Sequence, residues 1–364
     1  MKIKAAVVRE KSGAFLIEDL ELDEPRENEV LVRMVACGLC HTDLVARDQH
    51  LPVPLPGVFG HEGAGVVERV GARVTKVAPG DHVAMSYLSC GACNQCKKGF
   101  PTHCNEFLPS NFAGLRSDGS VTLRKGREKI HGSFFGQSTF ATYALATDRN
   151  VVKVPKDLPL EIMGPLGCGI QTGAGGVINS LAVRPGSSIA VFGAGSVGVS
   201  AIMAALVSGS TMIIAVDVNN QRLKAAKRFG ATHTINSAKT DPVGEIQRIT
   251  GLGADYSLEC TGIPGVLRQA FDSLCMGGKC GLIGAAPAGA EVGLNMQNIL
   301  NGRTLIGVVE GDSVPDVFIP QLIELYRQGR FPFDRMMTFY PFDQINQAAA
   351  DSEKGKALKA VLRF

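Results

Sequence analysis

Gly193-Ala194-Gly195-Ser196-Val197-Gly198 follows the apolar run Ile189-Ala190-Val191-Phe192 and opens the alanine-rich segment Val199 to Val207. The order is strand, glycine turn, helix. In such a unit the first glycine allows the tight turn, the second lets the backbone approach a pyrophosphate, and the third lets the helix sit close on the strand. The helix N-terminus adds free N–H groups and the positive end of its dipole, both suited to phosphates. Met212 to Val216 reads as the next strand and ends in Asp217, 19 residues past Gly198. An acid there can accept hydrogen bonds from adenosine ribose hydroxyls. The glycine pattern is weak by itself. With strand, helix and acid in place it points to a dinucleotide-binding domain.

Outward from this stretch, strands near 189–192, 212–217, 232–235, 255–260, 280–283 and 303–309 alternate with helical segments. Among the helices, Asn220 to Phe229 closes on Gly230, Pro242 to Thr250 on Gly251, and Pro264 to Leu274 supplies another. This pattern predicts an α/β domain over 170–306, a doubly wound parallel sheet with right-handed crossovers. Residues 1–169 read differently. Glu29 to Ala36 alternates like a half-buried strand, and Gly63 to Gly71 and Gly80 to Met85 look like further short strands between turns. The tail, 307–364, has helical stretches at Val317 to Gln328 and Phe342 to Gly355 and a strand at Ala357 to Leu362. It is expected to fold back onto the first, β-rich domain.

The bulk properties bound the function. A chain of 364 residues has material for two cores. Charged residues make up 20%, apolar residues 45%, and the net charge is only +3, which gives no reason to expect a nucleic-acid or membrane partner. No stretch reaches about 18 uninterrupted apolar residues, and the N-terminus lacks a long apolar signal region, so the expected location is cytoplasmic. In that compartment the ten cysteines read as metal ligands or reduced thiols, not disulfides.

Cys90, Cys93, Cys96 and Cys104 form C-x2-C-x2-C-x7-C. Four thiolates so close can close a tetrahedral zinc site with no open position, which stabilises a loop and does no Lewis-acid chemistry. An iron–sulfur cluster is the alternative, because C-x2-C-x2-C also begins a ferredoxin-type motif. His103 is a competing ligand that the fourth cysteine makes unnecessary. Elsewhere Cys40-His41-Thr42-Asp43, Gly60-His61-Glu62-Gly63 and Cys168 are dispersed. Two thiolates and an imidazole would leave a fourth metal position open for water or substrate, but composition alone does not join them.

The chain resembles, over essentially its full length, the zinc-dependent alcohol dehydrogenases of the medium-chain dehydrogenase/reductase family. The two dispersed motifs, the four-cysteine lobe, Cys168 and the glycine fingerprint occur in that family's order and at similar spacing. The resemblance implies a GroES-like catalytic domain, interrupted in sequence by a Rossmann domain, with the active site in the cleft between them. Within the family, Phe134 to Thr147 and Gly164 to Gly175 look like the aryl-alcohol (benzyl-alcohol) subgroup. The implied reaction is hydride transfer between a benzyl-type primary alcohol and NAD, with zinc as the Lewis acid on the substrate oxygen.

The resemblance also assigns roles. Cys40, His61 and Cys168 match the catalytic zinc ligands, and Cys90, Cys93, Cys96 and Cys104 the structural zinc. Glu62 matches an acid that can approach the metal, Asp43 a carboxylate that holds the ligand imidazole, Thr42 the hydroxyl that receives the alcohol proton, and His41 a contact to pyrophosphate. Gly193, Gly195, Val197, Gly198 and Thr172 fall at cofactor-binding positions. Asp217 argues for NAD over NADP by repelling a 2′-phosphate, Arg222 matches a contact on the adenosine side, and Lys359 matches a base that pairs with pyrophosphate.

One departure concerns the proton route. Many members carry a relay histidine where this chain has Val45. Thr42 then passes the proton through the nicotinamide ribose to water, or His41 serves as terminal base; His50 is a further candidate. Phe59, Tyr87, Phe135 and Phe140 are candidate walls of a flat apolar pocket, or ordinary core residues. Asn301 to Val309 resembles the family's dimer-forming edge strand, so a homodimer or homotetramer is expected. The competing readings are a dehydrogenase for another alcohol (aliphatic, allylic or terpene, or a thiol adduct of formaldehyde) and a zinc- and nucleotide-binding protein without catalysis. An intact open metal site with Thr42 beside it speaks against the last.

Overall fold

The computed structural model describes all 364 residues. The chain runs β1 (Lys2–Val8), β2 (Leu16–Leu22), β3 (Glu29–Gly38), α1 (His41–Arg47), β4 (Gly57–Val58), β5 (Glu62–Val70), β6 (His82–Met85), α2 (Asn94–Lys97), α3 (Phe107–Phe112), β7 (Leu123–Lys125), β8 (Glu128–Ile130), β9 (Tyr143–Thr147) and β10 (Val151–Lys153). It continues as α4 (Gly169–Gly175), β11 (Ser188–Phe192), α5 (Ser196–Val207), β12 (Met212–Asp217), α6 (Asn220–Arg228), β13 (His233–Asn236), α7 (Pro242–Thr250), β14 (Ala254–Glu259), α8 (Pro264–Asp272), β15 (Leu274–Leu282), α9 (Met296–Leu300) and β16 (Thr304–Gly307). The tail adds α10 (Pro315–Arg327), β17 (Met337–Pro341), α11 (Ile345–Glu353) and β18 (Lys359–Arg363). No helix is long and apolar enough to cross a membrane.

Two compact units result. One holds Met1–Cys168, Val314–Gln321 and Asp334–Phe364; the other holds Gly169–Ser313 and Leu322–Phe333. The return to the first unit therefore begins at Val314, later than the 307 expected from sequence. The reason is local: Glu310 accepts hydrogen bonds from Gln171 and Thr172, and Asp312 from Ser180, which ties the stretch after β16 to the second unit.

In the first unit the larger sheet has the order β10-β6-β5-β3-β18-β17, with β9 also on β3. Register decides where its functional ends lie. Gly38 at the end of β3 stands opposite Glu62 at the start of β5 and opposite Val361 in β18. The end of β3, the start of β5 and the start of β18 thus meet at one sheet end. β3 itself is buried along most of its length on both faces, not half-buried as its alternation suggests. Leu31 and Cys37 join one apolar cluster, while Val30, Val32 and Met34 join another, so the strand lies between two cores.

The second unit has the sheet order β13-β12-β11-β14-β15-β16, all parallel. This is the doubly wound nucleotide-binding order. Gly193 has φ +92°, open to glycine at no steric cost. A Cβ on Gly198 would lie 1.8 Å from the Gly193 carbonyl, so the helix needs that glycine to close on the strand. A Cβ on Gly195 would meet nothing within 4 Å, which leaves the backbone accessible to a ligand. Helix α8 stops at Asp272 and β15 begins at Leu274, earlier than the strand expected at 280–283. Its first half, with Gly277 and Gly278, carries no apolar alternation to announce it.

Candidate active site and metal centres

The four-cysteine lobe follows β6. All four Sγ atoms lie within 4.8 Å of one another, and Cys90–Cys96 and Cys93–Cys104 are each separated by 4.0 Å. Four thiolates about 2.3 Å from one ion form a tetrahedron with edges of about 3.8 Å. The donors fit one zinc and leave no room for a cluster of several irons. Backbone N–H groups of Cys96 and Asn105 draw the Cys93 thiol down to about 6, while burial pushes Cys104 up to about 12. A cation at the centre is what would bring all four to the thiolate form. His103 stacks on Phe100, with ring centroids 6.1 Å apart, and is not in the set.

The dispersed residues converge too. Donor atoms of Cys40, His61, Glu62 and Cys168 lie within 4.8 Å of one another. Cys40 caps α1, and Asp43 Oδ2 accepts a hydrogen bond from its backbone N–H at 2.9 Å. Asp43 Oδ1 accepts from Gly60 N–H at 3.0 Å and from His61 Nδ1 at 2.9 Å. One fully buried carboxylate therefore ties two donors together and fixes the imidazole tautomer. The other nitrogen, His61 Nε2, is buried with no hydrogen-bond partner. An orphaned imidazole nitrogen facing two thiols fits a metal ligand. The Cys40 thiol is drawn well below its usual range by hydrogen bonding with Cys168, against burial, and further by His61.

Glu62 and Lys359 form a buried ion pair behind these donors. Lys359 Nζ lies 2.6 Å from Glu62 Oε1 and donates to the Leu39 carbonyl at 3.3 Å. Burial pushes the Glu62 carboxyl up to about 7 against the pull of Lys359. Gly38 makes room for it, since a Cβ there would stand 2.0 Å from Glu62 Oε2. On the other side of His61, the Phe135 ring stacks on the imidazole with centroids 4.3 Å apart and planes at 22°. Phe135 holds this position at φ +52°, a costly conformation for a bulky residue, with Asn150 Nδ2 donating to its carbonyl at 3.1 Å.

These geometries agree with what the chain is similar to. The profile of the Alcohol dehydrogenase GroES-like domain matches residues 26–156, and that of Zinc-binding dehydrogenase matches 196–327. The geraniol dehydrogenase of Castellaniella defragrans is 45% identical, over 99% of this chain and 97% of that protein. The chain belongs to the zinc-dependent medium-chain alcohol dehydrogenase family. Zinc and a nicotinamide dinucleotide are the cofactors of this alcohol dehydrogenase. Among solved structures, the benzyl alcohol dehydrogenase of Acinetobacter calcoaceticus superposes with a TM-score of 0.97 at 50% identity, covering 100% of this chain and 99% of that one. An alcohol dehydrogenase zinc-binding domain protein from Burkholderia ambifaria gives 0.98 at 55% identity, with the same coverage.

The dehydrogenase's other expected site residues sort unevenly. Thr42 Oγ1 lies 3.7 Å from Cys40 Sγ, while His41 and His50 are exposed. Contrary to the pyrophosphate contact that the resemblance implies, Lys359 is 1% exposed and engaged by Glu62. Asp217 Oδ2 accepts from Ala194 N–H and Oδ1 from Asn219 N–H, both at 2.8 Å, with Arg222 4.0 Å away. Its carboxylate thus braces the glycine turn from the end of β12. Thr172 donates to Glu310 at 3.3 Å, a partner that no motif announces. Phe59, Tyr87, Phe135 and Phe140 are all 3% exposed or less and belong to one apolar cluster. They are core residues, and Phe135 alone of the four stacks on a metal-site side chain.

Proposed function

We propose that this dehydrogenase oxidises primary benzyl-type alcohols to aldehydes with NAD, using zinc held by Cys40, His61 and Cys168. The observation that carries the reading is the orphaned His61 Nε2 among two thiols, with Asp43 setting its tautomer. The 50% identity to a benzyl alcohol dehydrogenase supports the aryl substrate. The 45% identity to a geraniol dehydrogenase favours a second reading, an allylic alcohol. Both alcohols carry the hydroxyl on a carbon next to an sp2 carbon.

When bound, zinc supplies a Lewis acid to the substrate oxygen and the nicotinamide accepts the hydride. Within the chain, Thr42 would take the alcohol proton and the exposed His41 would carry it on, since Val45 cannot. By accepting from Nδ1, Asp43 fixes the tautomer that leaves the Nε2 lone pair for the metal. Glu62, held by Lys359, is an acid within reach of the metal position. In the second unit Gly193, Gly195, Val197 and Gly198 form the pyrophosphate turn, Asp217 favours NAD with Arg222 on the adenosine side, and Thr172 lines the nicotinamide end. Strand β16 is the sheet edge, and Met276, Met296, Ile299 and Leu300 nearby are 74%, 83%, 51% and 79% exposed. This exposed apolar edge supports a homodimer, or a tetramer built from it, in which a second copy covers the edge.

The test is kcat/KM for benzyl alcohol, geraniol and ethanol, each with NAD and NADP. Benzyl alcohol with NAD is expected to rank first. Geraniol ahead of it selects the allylic reading, and ethanol ahead of both overturns the substrate class.

A further inference from the structure

A buried chain of hydrogen bonds made by the Gln137 and Ser86 side chains runs from the His61 carbonyl to the carbonyl of Gly167, the neighbour of Cys168, and none of the roles above uses it. The Gln137 side chain is 1% exposed. Its Nε2 donates to the His61 carbonyl at 3.0 Å and to the Ser86 carbonyl at 2.9 Å. Its Oε1 accepts from Gly63 N–H at 3.3 Å and from the Thr139 hydroxyl at 3.4 Å. Turned over, the amide would set its oxygen against two carbonyls and its N–H against another N–H, so the neighbours fix its orientation. Ser86, fully buried, extends the chain: its Oγ donates to the Gly167 carbonyl at 2.6 Å. Gly167 adjoins Cys168, and a Cβ on it would stand 1.8 Å from the Met85 carbonyl, so this backbone lies directly on the end of β6.

Asp43 already joins Cys40 to His61. Gln137 and Ser86 join His61 to the segment that carries Cys168. We propose that Gln137 and Ser86 are positioning residues that hold the His61 and Cys168 donors at one fixed spacing for the catalytic metal. The inference rests on reading Cys40, His61 and Cys168 as its ligands. Without the Gln137 amide, two carbonyls and one N–H are left buried without this partner, and buried backbone groups shift to find others. Those groups belong to His61, Ser86 and Gly63, so the shift moves the ligands. Partners bonded to the ligating side chains themselves carry about 10- to 100-fold in metal binding or activity; Gln137 and Ser86 act one step further out, through the ligands' backbone, so the lower end of that range is expected.

Two variants test this in the full, zinc-loaded chain. Gln137→Met keeps length and approximate shape but offers neither N–H nor carbonyl, and Ser86→Ala removes a single hydroxyl. Zinc release to a chelator is followed, with the four-cysteine site as internal reference, and the cobalt(II)-substituted proteins are compared by visible absorption. Both variants are expected to release the catalytic-site metal about tenfold faster, with shifted cobalt bands and unchanged release from the four-cysteine site. Wild-type release and an unshifted cobalt spectrum in Ser86→Ala would overturn the proposal, whether or not Gln137→Met folds. A different failure, wild-type protein that binds zinc at the four-cysteine site alone, would remove the ligand reading and the inference with it.

Discussion

Lys359 is 1% exposed, and its counter-charge Glu62 is fully buried. Each justifies the other's burial, because an ionised group in an apolar interior needs a close partner. Removing one member leaves an uncompensated charge, which typically costs about 3–5 kcal/mol. Lys359→Met is expected to lower unfolding free energy by roughly that amount, measured by denaturant titration of the zinc-loaded protein. Adding Glu62→Gln is expected to recover most of the loss, since no charge then remains buried. A single variant as stable as the wild type would contradict the ion pair. The same residue marks a limit of reading sequence. A lysine in a terminal strand looks like a cofactor contact, and only the antiparallel register of β18 on β3 puts it behind Glu62.

At the scale of elements, β1 and β2 pair antiparallel, and Arg9 beyond β1 grips Glu18 of β2 with Nε at 2.6 Å and Nη2 at 2.7 Å. Arg9, with help from Lys125, holds the Glu18 carboxyl at about 2, below its ordinary 4.5. A pKa depressed in the folded state adds stability above the ordinary value and loses it as pH falls through the folded one. Wild type is therefore expected to be more stable than Glu18→Gln near neutral pH, with the difference fading between about 4.5 and about 2. A difference that is flat with pH would contradict this assignment. Helix α9 and edge strand β16 carry a second expectation. Ile299→Asp with Leu300→Asp places charge on an exposed apolar surface and is expected to shift the protein to monomer by light scattering. An unchanged oligomer would move the interface elsewhere. Elements with strong local signals were legible beforehand: the glycine turn into α5, the Asp217 that ends β12, and the stops at Gly230 and Gly251. The first half of β15 was not, because two glycines interrupt its pattern.

For the whole molecule, the four-cysteine lobe was legible from residue type and spacing, whereas Cys40, His61 and Cys168 were joined only by the family resemblance, and it is the fold that brings their donor atoms within 4.8 Å of one another. The residues that hold those donors were not legible. Gln137, Ser86 and the strained Phe135 look like ordinary members of a polar-aromatic stretch until the fold surrounds them. Which backbone groups a buried amide meets depends on tertiary register, and spacing along the chain carries none of that. Alcohol oxidation is proposed here to depend on a metal held by Cys40, His61 and Cys168. That dependence is read from the initial rate of NADH formation from benzyl alcohol and NAD, taken before metal removal, after it, and again with zinc restored. Loss on removal and recovery with zinc is the predicted result, with Cys168→Ser inactive throughout. An undiminished rate in metal-free protein would show that no metal carries the reaction.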